Sequence, residues 1–101
     1  MTASRTYKLK SEVVLYPGMS RWHFVYVDKK KSKEIREKYA TLKKGWGSIP
    51  VTVTLGKTTW NTSIFPDKKS ETYLLPLKAE VRKKEHIVAK KKIMFSIVIE
   101  V

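Results

Sequence analysis

The sequence predicts a mostly β fold, a closed or nearly closed barrel carrying two short helices. Three observations predict it. Alternation of apolar and polar residues recurs in six separate stretches. Only two stretches have helical spacing, and both are short. Polar turn residues, with glycine or proline among them, separate most of the segments. Strands of this kind with small helices between them suit a barrel. With 101 residues the chain fits one domain, 1–101.

"TYKLKSEVVLY" alternates through Tyr7, Leu9, Ser11, Val13 and Leu15 and reads as one half-buried strand. "PGMS" is a turn, with Pro17 presetting φ and Gly18 free to take positive φ. "RWHFVYV" places Trp22, Phe24 and Tyr26 on one face and His23, Val25 and Val27 on the other. Both faces are largely apolar, which predicts a central or covered strand.

"DKKKSKEIREKYATLKKG" changes period. Ile35, Tyr39 and Leu42 form one helical stripe. Ser32 is the expected N-cap, and Glu34 suits the positive helix start. Lys43 and Lys44 suit its negative end, and Gly45 the left-handed position beyond it.

"SIPVTVTLGKTTWNTSIF" returns to period two. Ile49, Val51, Val53 and Leu55 face one way, and Gly56-Lys57 makes a two-residue hairpin turn with glycine first. Trp60, Thr62 and Ile64 alternate with Thr59, Asn61, Ser63 and Phe65. "PDKKSE" is a second turn, where Asp67 is expected to bind turn backbone groups. "TYLLPL" is a short strand ended by Pro76, and "PLKAEVRKKEH" a short helix with Pro76 in its first turn. In "IMFSIVIEV", Ile93, Phe95, Ile97, Ile99 and Val101 share one face of a core strand. The expected order is β β α β β β α β.

Charge dominates the functional reading. The chain carries 22 basic and 9 acidic residues, a net charge of +13. Such an excess favours phosphate backbones or acidic surfaces. Eighteen of the bases are lysine and four are arginine (Arg5, Arg21, Arg36, Arg82). Arginine's planar fork reads base edges and clamps phosphates; lysine supplies a point charge on a flexible stem. Binding driven by these lysines is therefore directed at a backbone and not at sequence. A lysine-rich, solvated surface of compositional origin accounts for the same numbers.

The absence of cysteine removes disulfides, thiolate metal sites and thiol catalysis. No signal core or membrane-length apolar run is visible, so a cytoplasmic protein that does not engage a membrane is expected. His23 in an apolar strand and His86 beyond a lysine run form no triad with a nucleophile. Paired carboxylates and metal-ligand spacing are missing too, so a non-enzymatic protein without cofactor is expected.

Several segments together resemble a known family. They are "GWGSIPV" at 45–51, "TSIFPDKK" at 62–69 and "YLLPLKAEVRK" at 73–83, with "YPG" at 16–18 followed by "WHFVYV" at 22–27. These are similar to the family called domain of unknown function nineteen-oh-five, and the resemblance covers nearly the whole chain. It implies a double-split β-barrel, an architecture shared with dimeric swapped-hairpin DNA-binding regulators. Shared architecture alone does not transfer function. In one place the chain departs from the family's pattern. A Gly-Asp pair is usual in the turn before the last strand, where this chain has "VAKKK" at 88–92.

The candidate anion-binding residues are Lys68, Lys69, Lys78, Arg82 and Lys83, with Trp46 as an aromatic among glycines and lysines. Clusters at 29–31, 43–44, 68–69, 82–84 and 90–92 all fall at turns or helix ends, and are expected to converge on one rim. The expected partner is nucleic acid or another polyanion, bound without sequence preference. A protein-interaction module is the second reading, with a homodimer pairing through the last strand. A small-molecule enzyme is the third. Trp60 is expected in the core.

Overall fold

The computed structural model describes residues 4–15, 22–39 and 47–100. In chain order the elements are β1 (Ser4–Glu12), β2 (Val14–Leu15), β3 (His23–Tyr26), α1 (Lys29–Lys38), β4 (Ile49–Leu55), β5 (Thr58–Asp67), β6 (Thr72–Leu77), α2 (Ala79–Lys84) and β7 (Lys92–Glu100). The strands form one antiparallel sheet in the order β1-β7-β4-β5-β6-β3-β2. It curls into a half-barrel, so the fold class predicted from the sequence is the one found. The order of elements differs in one strand.

That difference lies at Val13. "TYKLKSEVVLY" is two strands, not one. Val13 leaves both ladders, donating its N–H to the Lys91 carbonyl and accepting from the Lys90 N–H, each at 2.8 Å. Before it, β1 pairs with β7 from Ser4↔Glu100 to Glu12↔Lys92. After it, Val14 and Leu15 pair with β3. A single residue thus joins the two edge strands of the sheet, and the sheet must curl for this to happen. Alternation does not reveal the switch: it carries the inward face on to Leu15, which is 45% exposed beyond the break.

The first helix also begins differently. Asp28 is its N-cap, with a carboxylate oxygen 3.1 Å from the Lys31 N–H. Ser32, expected there, lies inside the helix and is fully buried. Its Oγ donates to the Val27 carbonyl and accepts from the Tyr73 N–H, both at 3.1 Å. A hydroxyl thereby ties β3, α1 and β6 together in the interior. Glu34 is outside the first turn, which holds no acid; it faces Arg5. Ile35 and Tyr39 are buried as the stripe predicts. Leu42, Lys43, Lys44 and Gly45 lie outside the described residues, as does the 17–18 turn.

Pro76 is a strand residue rather than the start of a helix. It pairs with Phe24 across β6 and β3. β5 meets β6 only over Thr72–Leu74, so Pro76 sits where β6 has a ladder on one side alone. A missing N–H is tolerated at such a place. Pro66 likewise lies within β5 and not beyond its end. α2 then starts at Ala79 with Lys78 as its N-cap.

The core fills the inside of the curl. Ile49, Val51, Val53 and Leu55 of β4 face it, as do Ile93, Phe95, Ile97 and Ile99 of β7. Val25, Val27, Ile64, Leu75 and Ile35 complete its centre, all fully buried. Each such side chain contributes roughly 1.5–3 kcal/mol by leaving water. Trp60 packs against this core but is only partly buried. The β4–β5 hairpin turns at Gly56-Lys57 as predicted, with Gly56 at φ +60.

Candidate functional site

The β5–β6 turn is built by its own polar side chains. Asp67 accepts from the Ser70 N–H at 3.3 Å and from the Ser70 Oγ at 2.7 Å. Ser70 Oγ is 2.6 Å from Thr72 Oγ1. With Asp67, Ser70 and Thr72 fixing the loop, Lys68 and Lys69 stand exposed at its tip. The role expected for Asp67 is the one it has.

Beside this turn the outer face of the sheet is apolar. Phe65, Leu74 and Tyr26 form one row across β5, β6 and β3. Phe65 is 42% exposed and Tyr26 36%. Pro76, Phe24 and Val14 form the next row. Trp22, Phe24 and Tyr26 run along β3 as an aromatic ladder, with ring centres 5.1 and 5.2 Å apart. A groove of about 550 Å³ lies between Phe24, Tyr26 and Leu74 on one side and the 67–70 turn on the other. It has aromatic and aliphatic walls and two exposed lysines at its rim. "RWHFVYV" is expected to be a central or covered strand; Phe24 is buried, while Tyr26 at the strand's end is open to solvent.

A basic band continues from this groove around the start of α1. Lys29 Nζ lies 4.0 Å from Glu71, an exposed contact of small energetic weight. Lys30 and Lys31 face the other way, toward β1. There, Arg5, Lys8, Lys30 and Lys31 line a second groove of about 600 Å³. Arg5 meets Glu34 at 3.4 Å and stacks its guanidinium over the Tyr7 ring, 5.5 Å from its centre. The Tyr7 hydroxyl is sealed from solvent without a hydrogen bond of good geometry. Burial, then the neighbouring Glu34 and Tyr39, push its pKa well above the usual phenol range. Arg5, Lys8 and Lys10 were not among the candidates, although "TYKLK" already set its lysines on the outer face.

The predicted site residues do not all meet. Lys68 and Lys69 lie at one end of β6, and Lys78, Arg82 and Lys83 beyond the other. Six strand residues span roughly 20 Å, so these are two separate rims. The expected single rim is not formed among the described residues: Lys29 stands near the 68–69 turn through Glu71, Lys30 and Lys31 line the groove beside β1, and Lys78, Arg82 and Lys83 lie at the other end of β6. Arg82 is half-buried and donates from Nε to the Leu77 carbonyl at 3.2 Å, so it helps close the β6–α2 junction. Lys78 and Lys83 are exposed. Trp46 lies outside the described residues.

The turn that departs from the family pattern is also structured. Lys90 takes φ +72, the left-handed conformation that favours glycine, while its N–H binds Val13. Lys91 Nζ lies 3.4 Å from the His86 carbonyl. His23 faces inward opposite Leu77, and His86 sits exposed at the end of α2 with φ +53. Among the described residues no group of three His, Asp or Glu could hold a metal ion, and no helix is long and apolar enough to cross a membrane.

No curated protein matches the chain. A family model does: the one described as Domain of unknown function (DUF1905) matches residues 10–97.

Proposed function

The chain belongs to this family, whose description assigns no function, and on that premise we propose a non-catalytic, cytoplasmic module that holds a polyanion. The favoured ligand is the backbone of a single-stranded nucleic acid, bound at the groove between Tyr26 and the Lys68–Lys69 turn. One observation carries the reading: two exposed lysines on a turn fixed by Asp67 and Ser70 stand over an outward aromatic row. Lysines hold phosphates while exposed rings stack bases, and neither contact depends on sequence. A duplex keeps its bases stacked inside and would gain the phosphate contacts alone. Lys29, which reaches Glu71 of the same turn, extends the positive surface at this end of the groove.

The test is fluorescence anisotropy with labelled oligothymidylate, RNA and duplex DNA, each across a salt series. The expected result is stronger binding of the single strands, weakening linearly in log–log form with salt. No binding at low salt would mean that the +13 charge is only a solvated surface.

A further inference from the structure

We propose that the free edge of β1, where it faces α1, is a docking site for an extended acidic peptide that joins the sheet as an additional strand. This site is separate from the Lys68–Lys69 groove and does not rest on the reading given for it.

The first observation is the edge itself. β1 has nine residues, and every one of them is in register with β7. Among the described residues no strand pairs with its other side. Every second residue of such a strand leaves its N–H and C=O unpaired. The opposite edge, β2, is only two residues long, which is one of the ways an edge is blunted. β1 carries neither a proline nor a bulge along its paired length.

The second observation is the space beside it. Two adjoining grooves of about 600 and 320 Å³ run between β1 and the start of α1, sharing Lys8, Asp28 and Lys31. A strand adds at about 4.8 Å from its neighbour. The channel therefore offers backbone partners on one wall and a helix on the other.

The third observation is charge. Five basic groups line the two grooves: Arg5, Lys8, Lys10, Lys30 and Lys31. The two acids present are already engaged, Asp28 in capping α1 and Glu34 with Arg5. Lys8 and Lys10 point outward, so alternate side chains of an added strand fall directly beside them. Carboxylates at those positions gain cross-strand pairing, and lysines there would be repelled. Met94, 72% exposed and in register with Lys10, adds an apolar contact.

These facts choose among occupants. A second copy of this chain would bring its own Lys8 and Lys10 against the first pair. A phosphodiester offers acceptors alone and leaves the β1 carbonyls without donors. An acidic peptide in extended form satisfies both the ladder and the charges.

The experiment uses the full chain labelled with nitrogen-15. The probe is a capped nine-residue peptide alternating glutamate and valine. The same peptide methylated at every backbone nitrogen cannot donate to a ladder from either edge and serves as its control. The expected result is at least tenfold slower exchange of alternate β1 amides with the first peptide and no protection with the second. Lys8→Glu with Lys31→Glu is expected to weaken binding at least tenfold while the β7 amides stay protected. Lys68→Glu with Lys69→Glu should bind the peptide as the parent does, since those residues serve the other groove. Equal binding of both peptides would reduce the site to a charge effect and overturn the proposal. So would absent β1 protection, or β1 amides protected by self-association without peptide.

Discussion

Glu85 Oε2 accepts a hydrogen bond from Thr58 Oγ1 at 2.7 Å. The carboxylate at the end of α2 thereby lies against the β4–β5 turn, so close to Gly56 that a Cβ there would collide with it. Two elements far apart in the chain are locked by one polar contact.

Gly56→Ala should therefore destabilise the fold in two ways. Alanine at φ +60 costs about 1–2 kcal/mol. Its methyl also pushes Glu85 aside and removes the Thr58 bond, adding about 1 kcal/mol. Urea midpoints for Gly56→Ala, Thr58→Val and the double variant check this. The Thr58 change should cost less in the alanine background. An unshifted midpoint for Gly56→Ala would contradict the contact.

Ser32→Ala removes a hydroxyl that serves two buried backbone groups, the Val27 carbonyl and the Tyr73 N–H. Leaving both unsatisfied should cost roughly 2–4 kcal/mol. Lys33→Ala, one position on and exposed, should change stability by no more than about 0.5 kcal/mol. A loss at Ser32 no larger than that at Lys33 would show that the interior hydroxyl carries no net stability, since alanine is the better helix former at both positions.

Lys90→Gly should stabilise. Lys90 holds φ +72, at a place where glycine pays no steric cost. The gain should be about 1 kcal/mol, reduced by glycine's greater freedom in the unfolded chain. A rise in thermal midpoint checks it. A fall would mean that the lysine side chain contributes more than its backbone costs.

Alkaline stability should follow Tyr7 and Tyr73, whose pKa values burial raises; Arg36 partly opposes this for Tyr73. A raised folded value means that the folded chain holds the phenol proton more tightly than the unfolded one. The associated stability is present below about pH 10, the ordinary phenol value, and is lost as pH climbs through the folded value. Phenolate absorbance followed with circular dichroism should show these two tyrosines ionising together with unfolding. Tyr7→Phe should move the alkaline midpoint up. At neutral pH it should change stability by less than about 1 kcal/mol, because the hydroxyl makes no good hydrogen bond.

For polyanion binding, Lys68→Glu with Lys69→Glu should weaken oligothymidylate binding and lower the salt slope by about 2. Tyr26→Ala should cost about 1–3 kcal/mol on single strands and little on duplex. Lys83→Glu with Lys84→Glu, at the far end of β6, should have the smaller effect. Anisotropy titrations at matched salt decide. A larger effect from the 83–84 pair would move the site to the other rim.

Local features were legible in the sequence wherever the controlling groups are neighbours in the chain. Gly56-Lys57, the Asp67 turn and the inward face of β7 are of this kind. The features that were missed depend on distant partners. Val13 breaks its strand because Lys90 and Lys91 offer it hydrogen bonds. Ser32 enters the interior because Tyr73 N–H needs an acceptor, and Asp28 is left to cap the helix. Pro76 stays in a strand because β5 ends its pairing before reaching it. The lysine clusters could be counted from the sequence, but their division between two rims follows from the direction of β6. The last strand, expected to pair between subunits, has β1 on one side and β4 on the other, and among the described residues the edges of the sheet are β1 and β2.

The pairing of β1 with β7 also sets an order of events. Of the described strands, the earliest in the chain has its ladder with the latest. Until β7 is made, β1 has no ladder partner among the described residues, while the β4–β5 and β5–β6 hairpins can already form. Bringing the two remote segments together requires closing a loop that spans most of the chain, which slows folding. The nascent protein therefore passes through an interval in which its middle is assembled and its first strand waits. Substitutions along the β1–β7 ladder should mainly speed unfolding, and those in the central hairpins should slow folding.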